Sequence, residues 1–263
     1  MFTVELATVQ PGAQPFRAGN VNDTFKGLVR VGSSLRGAII KDLDSRQLAN
    51  ELVVATLAKD YGLPVPDCYL AVVPKGVLSV SKGPTISSGE HLTFASADMQ
   101  TPNLAQRISA DPTLQSAIYD ELKKWNSLGG LYAFDTWVAN IDRHQGNLLF
   151  EGIGKVWLID HGHCLTGPNW NPGSLVPDAV VHNQLKDWMT PHLTEAEKKK
   201  RSEESERLAA LLSSFLPSEV ISRSRTAEIL GDPDTRAAGS FLSRRIPHVV
   251  RYANDALDYA SLV

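Results

Sequence analysis

The sequence predicts an α+β protein with a small β-rich N-terminal lobe and a mainly helical C-terminal lobe. Short β-prone runs bounded by turn residues fill the first part of the chain, where one helix interrupts them. Helical periodicity replaces this pattern after about residue 97. The two predicted lobes therefore span residues 1–97 and 98–263.

The N-terminal lobe is predicted to contain five strands and one helix. The strand-like runs lie at 3–9, 26–31, 37–41, 69–73 and 77–80. The helix spans 48–61, has its apolar residues on one face, and ends before Gly62 and Pro64. The run 91–96 is predicted to approach the connection between the lobes.

Helices and one hairpin are predicted for the C-terminal lobe. The helices span 114–125, 128–139 and a polar stretch that reaches Phe215 from a capping box at Thr194 and Glu197. Basic residues 198–201 in the last helix have acidic residues after them, which predicts a solvated face. Apolar runs at 147–151 and 155–159, separated by two glycines, predict a β-hairpin.

Composition excludes several classes of protein. A formal charge of −3 and a pI near 6.2 give no general attraction to nucleic acid or anionic membranes. The two cysteines, Cys68 and Cys164, argue against a disulfide framework and favour a reducing compartment. The sequence has neither a basic leader with an apolar core nor about 20 uninterrupted apolar residues. We therefore expect a soluble cytoplasmic protein without membrane insertion.

The run Asp142-Arg-His-Gln-Gly-Asn147 and the later Asp160 supply the polar groups that an ATP-dependent phosphotransferase needs. Phosphoryl transfer requires a carboxylate near the acceptor hydroxyl and oxygen ligands for the Mg²⁺ that bridges the ATP phosphates. The predicted hairpin returns Asp160 to the neighbourhood of Asn147, where both side chains can reach one metal ion. An isolated loop Asp or Asn is usually a turn former, but the joint spacing of the three residues favours a site.

A lysine and a glutamate in the N-terminal lobe provide a second test of this hypothesis. Lys41 ends a predicted strand, and Glu51 borders the apolar face of the following helix. Kinases use such a pair to hold the ATP phosphates. Lys26 competes with Lys41 for this role, but it lies outside the run that leads into the helix. A surface ion pair between Lys41 and Glu51 is the alternative.

The spacing Asp-x-x-x-x-Asn, followed by Asp-His-Gly, resembles the catalytic loop and metal-binding motif of kinases. The order Asp142-Arg-His reverses that of ordinary protein kinases and is similar to phosphoinositide kinases and HipA-like kinases. The run 157–162, Trp-Leu-Ile-Asp-His-Gly, and the passage 48–66 resemble the compact HipA-like branch. The resemblance covers roughly residues 12–165. It implies a two-lobed protein-kinase-like fold.

The same resemblance implies roles for the site residues. Asp142 would be the catalytic carboxylate, and Asn147 and Asp160 would bind Mg²⁺. His144 is predicted to orient Asp142, although it could instead contact phosphate or fill the loop. HipA-like proteins often replace the glycine-rich hairpin with a Gly/Gln/Pro segment, which makes three residues candidates for phosphate contacts: Gly12, Gln14 and Arg17. An ordinary surface turn is the alternative for that segment.

The predicted function is transfer of the γ-phosphoryl group of ATP to a hydroxyl, with Ser/Thr of a protein as the favoured acceptor. The resemblance also implies a toxin–antitoxin or related stress or defence role, with an antitoxin or regulatory partner. A lipid or small-molecule acceptor, and a nucleotide-binding pseudokinase or scaffold, stay open. A metal-dependent hydrolase is the least favoured hypothesis and would use these residues: His144, His161, His163 and Asp160. Cys164 is predicted to be a core residue rather than a nucleophile.

Overall fold

A six-stranded sheet and one long helix form the N-terminal part of the computed structural model, which describes residues 1–16 and 22–260. The strands are β1 (Glu5–Val9), β2 (Gln14–Pro15), β3 (Thr24–Val31), β4 (Ser34–Lys41), β5 (Cys68–Val73) and β6 (His91–Ala97). The helix α1 spans Ser45–Asp60. Four of the five predicted strands and the predicted helix are confirmed, with bounds that differ by a few residues.

The strand predicted at 77–80 is wrong. Residues in this stretch lie in turns and irregular structure, and Gly76 before it has a φ of 78°. The buried carboxylate of Asp42 accepts hydrogen bonds from the backbone N–H groups of Ser81 and Gly83, at 2.7 and 3.0 Å. A side chain, rather than a neighbouring strand, therefore satisfies the backbone donors just after this stretch.

The sheet closes into a ring of five strands. Its order is β1-β5-β6-β4-β3-β2, and β1 also pairs with β3. The β1–β5 pair is parallel, whereas the other pairs are antiparallel. Alternate side chains of the strands point into the ring and form a small apolar core that includes Val9, Val29, Ile40, Ala71 and Ala95.

Helix α1 lies between the sheet and the C-terminal part. Asp44 caps it by accepting two hydrogen bonds from backbone N–H groups of the first turn. Leu48 and Leu52 pack in the cluster that includes Leu70 of β5, and Val53 belongs to the main core of the C-terminal part. Because both sides of α1 are buried, its position is fixed against both parts of the chain.

The C-terminal part is mainly helical. Its helices are α2 (Leu104–Ala110), α3 (Gln115–Leu122), α4 (Leu128–Trp137), α5 (Leu185–Trp188), α6 (Glu195–Leu211), α7 (Pro217–Arg223), α8 (Asp232–Arg245) and α9 (Val249–Ala256). Strands β7 (Leu148–Gly152) and β8 (Lys155–Leu158) form the predicted hairpin. The three predicted helices and the Thr194 capping box are confirmed with shorter bounds. In the described ranges, the helices are too short or too polar to cross a membrane.

Helices α4 and α6 approach closely at Gly129. The backbone N–H of Gly129 donates to Glu204 Oε2 at 2.9 Å, and Ser205 Oγ donates to the Gly129 carbonyl at 2.7 Å. The basic run that we predicted to be solvated ends in a buried residue, Arg201. Its guanidinium pairs with Glu204 and donates to the carbonyl of Trp125 at 3.1 Å. Buried acceptors need a hydrogen-bond donor, and Arg201 supplies it. This residue is therefore buried, although the sequence pattern predicts a solvated face.

We expect Gly129→Ala to lower the free energy of unfolding by about 2 kcal/mol, because overpacking forces a well-packed core to shift. A Cβ at this position would lie 2.3 Å from the backbone oxygen of Arg201. Gly130→Ala is the matched control on the same helix, since its Cβ would meet only Leu63 Cδ2 at 3.9 Å. Chemical denaturation measures both variants. Equal unfolding free energies would contradict the close approach of α4 and α6.

Candidate functional site

A cavity of about 240 Å³ lies between the sheet and the C-terminal part. Its lining comes from β4, α1, the segment 96–101, the β7–β8 hairpin, and the loops that contain Asp142 and Asp160. Ile39, Leu149 and Leu158 contribute apolar surface. Six of the predicted site residues line this one cavity: Lys41, Glu51, Asp142, His144, Asn147 and Asp160. The structure thus brings together residues that lie far apart in the sequence.

The predicted pair of Lys41 and Glu51 is formed inside this cavity. Lys41 Nζ lies 2.6 Å from Glu51 Oε1 and 3.1 Å from Asp160 Oδ1. The other oxygen of Glu51, Oε2, accepts a hydrogen bond from the backbone N–H of His161 at 2.9 Å. Glu51 is almost completely buried, so the alternative of a solvated surface pair is wrong. Glu51 thereby joins the end of β4 to the chain just after Asp160.

Electrostatics keep this pair charged despite its burial. Burial opposes the charged form of Lys41, but the neighbouring Asp160 and Glu51 outweigh it and raise the pKa of Lys41 above its usual value. Burial also opposes the charged form of Glu51 and would raise its pKa, but the Lys41 charge and His161 lower this pKa. The imidazole of His161 is buried, and burial lowers its pKa, which favours the neutral ring. The cavity therefore contains a fixed positive charge at Lys41.

The hairpin brings Asn147 and Asp160 together as the sequence predicts. A one-turn 3₁₀ helix, Gln145–Asn147, leads into β7, and Asp160 follows β8. The backbone N–H of Ile159 donates to the Asn147 carbonyl at 3.2 Å. Asp160 has a φ of 61°, in the left-handed region that a non-glycine residue rarely adopts. This conformation leaves its carboxylate partly exposed in the cavity, with Oδ1 at Lys41.

The donor set at Asn147 and Asp160 fits Mg²⁺. Asn147 Nδ2 donates to the carbonyl of Asp142 at 2.6 Å, and this assigns Oδ1 as the free end of the amide. Together with the second oxygen of Asp160, it provides the hard oxygen ligands that Mg²⁺ prefers, and Mg²⁺ usually needs only one or two protein groups besides phosphate. Among the residues at 1–16 and 22–260, no three His, Cys, Asp or Glu side chains are grouped to hold a metal.

Asp142 is oriented by a different histidine from the one that the sequence predicts. His163 Nδ1 lies 3.2 Å from Asp142 Oδ2, whereas His144 Nε2 lies 4.0 Å from the same oxygen. His144 instead caps the 3₁₀ turn, because its Nδ1 accepts a hydrogen bond from the Gly146 N–H at 2.9 Å. From the other side, the backbone N–H of Asp142 donates to Asn140 Oδ1 at 3.0 Å.

The contact between Asp142 and His163 favours opposite charges on the two groups. The hydrogen bond with Asp142 raises the pKa of His163 above its usual value. Burial would raise the pKa of Asp142, but the hydrogen bond from His163 and the nearby imidazoles lower it. Asp142 is consequently ionised over the ordinary pH range and can accept a proton or a hydrogen bond.

Arg143, between Asp142 and His144, is a structural residue that sequence reasoning missed. Its guanidinium is buried and forms two hydrogen bonds with Asp135 of α4, at 2.9 and 3.1 Å. The same group donates to the carbonyls of Asn147 and Ile159, at 2.8 and 3.0 Å. The available signal was the single carboxylate of Asp135 inside the apolar helix that precedes the loop.

The candidates for phosphate contacts in the Gly/Gln/Pro segment are not found among the described residues of the cavity lining. Gly12 and Gln14 do not line the cavity, although Phe16 and Asn22 nearby in the sequence do. Arg17 lies outside the described residues. Gln14 belongs to β2, where it lies opposite Lys26 of β3. Lys26, the competitor of Lys41, instead pairs with Asp98 at 2.7 Å.

We expect the stabilising effect of Glu51 to depend on pH in one direction. Its pKa in the folded protein is about 2, well below the ordinary value of 4.5 for a glutamate, so its contribution is complete above about pH 4.5 and declines as the pH falls toward 2. The difference in unfolding free energy between the wild type and Glu51→Gln should shrink over that window. Glu203→Gln, a surface substitution, is the control. A difference that stays constant down to pH 2 would contradict the buried ion pair.

Comparisons with known proteins show the family and the fold. A protein-family model described as HipA-like kinase matches residues 39–244, most of the chain and all the predicted catalytic and metal-binding residues. The solved structure of the Helicobacter pylori proinflammatory kinase CtkA is similar, with a TM-score of 0.56. The alignment covers 97% of this chain and 98% of that chain at 11% identity, a likeness that shows a shared fold. No curated protein sequence matches significantly. The chain belongs to the HipA-like kinase family.

Proposed function

We propose that this protein is a Mg²⁺-dependent kinase that transfers the γ-phosphoryl group of ATP to a hydroxyl, with Ser or Thr of a protein as acceptor. The observation that carries the proposal is the convergence of Asp142, Asn147, Asp160 and the Lys41–Glu51 pair on one cavity. A lone motif would leave the activity open, but independent elements that meet in space supply a carboxylate for the acceptor, oxygen groups for the metal ion and a lysine for the phosphates. Membership of a kinase family supports the same reaction class.

The nucleotide is proposed to occupy the cavity between two lobes, residues 1–97 and 98–263. The apolar side chains of Ile39, Leu149 and Leu158 offer surfaces on which a flat base can pack. Lys41, whose charge is held by Glu51 and Asp160, would attract the phosphates. The ion pair fixes the ammonium in place before the nucleotide arrives, so less side-chain entropy is lost on binding.

Asn147 and Asp160 are proposed to hold the magnesium ion, which neutralises negative charge on the phosphates when it is bound. Their two side chains need to keep a constant separation, and the hydrogen bonds of Arg143 to the adjoining backbone provide this. Lys41 Nζ lies 3.1 Å from Oδ1 of Asp160, whose carboxylate is partly exposed. The other oxygen is therefore available as a ligand.

Asp142 is proposed to position the acceptor hydroxyl and take its proton. The hydroxyl oxygen forms a bond to the γ-phosphorus while the bond to the bridging β–γ oxygen breaks, and ADP leaves with that electron pair. The released proton passes to the Asp142 carboxylate. His163 holds this carboxylate from the side through the 3.2 Å contact. His144, which lines the same cavity, is proposed to contribute less than His163 to the orientation of Asp142.

A protein acceptor is the favoured substrate class because the chain belongs to the HipA-like family. A toxin–antitoxin or related defence role, with an antitoxin or regulatory partner, is part of the same proposal. The Asp142-Arg-His order, shared with phosphoinositide kinases, makes a lipid or small-molecule hydroxyl the alternative acceptor. Label from ATP in the protein fraction of a lysate would indicate a protein acceptor. Label in the lipid or small-molecule fraction would indicate the alternative.

In the first experiment, purified protein is incubated with Mg²⁺ and γ-labelled ATP. Autophosphorylation and transfer of the labelled phosphoryl group to components of a lysate are then measured. We expect Asp142→Asn to reduce transfer at least roughly 100-fold, because the proton acceptor is lost, with Mg-ATP binding retained. Asp160→Asn should abolish transfer and weaken the dependence of ATP binding on Mg²⁺. Binding without transfer by the wild type would favour the pseudokinase, and absence of nucleotide binding would refute the proposal.

A pH profile tests the role of His163. Asp142 must be ionised to accept a proton, so kcat/KM falls as the pH drops through its pKa. We expect His163→Ala to move this acidic limb to higher pH, because loss of the hydrogen bond raises the pKa of Asp142. His144→Ala, the matched control in the same cavity, should move the limb less, since His144 lies 4.0 Å from the carboxylate. Equal shifts in the two variants would contradict the assignment of His163.

A further inference from the structure

Asn50, the neighbour of Glu51 on α1, uses its entire side chain to hold a distant loop. Its amide Nδ2 donates to the carbonyls of Gly162 and Cys164, both at 2.9 Å. Its Oδ1 accepts a hydrogen bond from Trp170 Nε1 at 2.9 Å. Asn50 is completely buried, and these partners lie between 112 and 120 residues away in the sequence. A buried polar side chain with this full set of partners is costly to disturb.

The loop that Asn50 holds begins at the proposed metal ligand Asp160. Residues 161–170 contain no helix or strand, and their backbone groups are satisfied partly by turn hydrogen bonds within the loop and partly by contacts from outside it. On one side, the Leu165 N–H donates to the carbonyl of Val138, just after α4, at 2.8 Å. On the other side, the contacts come from α1. The loop is therefore fixed between two buried helices.

Further contacts from α1 reinforce this attachment. The guanidinium of Arg46, one turn before Asn50, stacks over the Trp170 ring at 4.6 Å. Arg46 also pairs with Asp234 in the first turn of α8, at 3.0 Å. At the other end of α1, Asp60 pairs with Arg223 of α7. These ion pairs hold α1 against the C-terminal helices, so the position of Asn50 relative to the loop is constant.

We propose that Asn50 is a positioning residue for phosphoryl transfer: it fixes the loop after Asp160 against the helix that carries Glu51. Residues 50 and 51 then place both halves of the site, since Glu51 orients Lys41 while Asn50 sets the backbone that follows Asp160. Ordinary protein kinases order this region by phosphorylation of an activation loop. Here a neutral amide within the chain orders it without any modification. This inference rests on the proposed kinase activity.

The test compares Asn50→Asp with Thr56→Val. The first substitution keeps the shape of the side chain but removes both amide donors and places a negative charge beside two carbonyls. The second removes a buried hydroxyl of the same helix, whose hydrogen bond goes only to Leu52 within α1. We expect Asn50→Asp to lower kcat by about 10- to 100-fold, the usual cost of a misplaced catalytic group. The half-saturating Mg²⁺ concentration should rise at least about fivefold, with the KM for ATP at saturating Mg²⁺ changed less than about threefold because Lys41 and Glu51 are intact.

Trp170→Phe is a second variant in case Asn50→Asp fails to fold. It removes the Nε1 donor to Asn50 while keeping a ring for Arg46, and it should change kcat and the Mg²⁺ dependence in the same direction to a smaller extent. Hydrogen exchange of residues 161–170 provides a readout without catalysis and should accelerate at least tenfold in both variants but not in Thr56→Val.

The outcomes separate the two proposals. If the wild type transfers no phosphate while exchange in the loop still accelerates, the proposed function fails and the attachment by Asn50 stands. If the Asn50 and Trp170 variants lower the melting temperature but leave the half-saturating Mg²⁺ concentration unchanged, Asn50 is merely structural and the inference is overturned. Unchanged exchange in the loop would overturn it as well.

Discussion

The buried ion pair between Arg143 and Asp135 is the interaction on which the candidate site depends most. Both side chains are fully buried, and the guanidinium also binds the carbonyls of Asn147 and Ile159. One planar group thus spans α4, the loop after it and the end of the hairpin, so it fixes the separation of the two proposed metal ligands. Removal of one partner from such a pair typically costs about 3–5 kcal/mol, because the other charge stays buried.

Buried arginines also bind backbone carbonyls elsewhere in the C-terminal part. Arg201 binds the carbonyls of Lys123 and Trp125 just after α3, and Arg245 binds those of Pro177 and Ala179 in the long segment before α5. The guanidinium suits this role because its five donors have a fixed planar arrangement. Arg245 lacks a carboxylate partner among the described residues, and burial lowers its pKa to about 10. Irregular segments of the C-terminal part are therefore fixed by hydrogen bonds from buried helical side chains rather than by their own secondary structure.

The sequence predicts those parts of the protein that depend on local patterns. The hairpin, α1, α4 and the Lys41–Glu51 pair all follow from short-range periodicity and spacing, and the structure contains them. The contact of His163 with Asp142 joins residues that follow different elements, and no local pattern encodes it. His144 is nearer in sequence to Asp142, but local geometry directs its ring to the backbone of the 3₁₀ turn. The strand predicted at 77–80 has suitable composition, but Asp42 binds the backbone just after it.

The closed ring of strands has a consequence for the behaviour of the protein at high concentration. An open sheet presents a row of unpaired N–H and C=O groups, to which a strand from another molecule can add. In this ring, β5 covers one edge of β1, while β2 and β1 share the outer edge of β3. Little backbone is left to template an intermolecular sheet. The N-terminal part thus carries its own protection against edge-to-edge aggregation, independent of net charge.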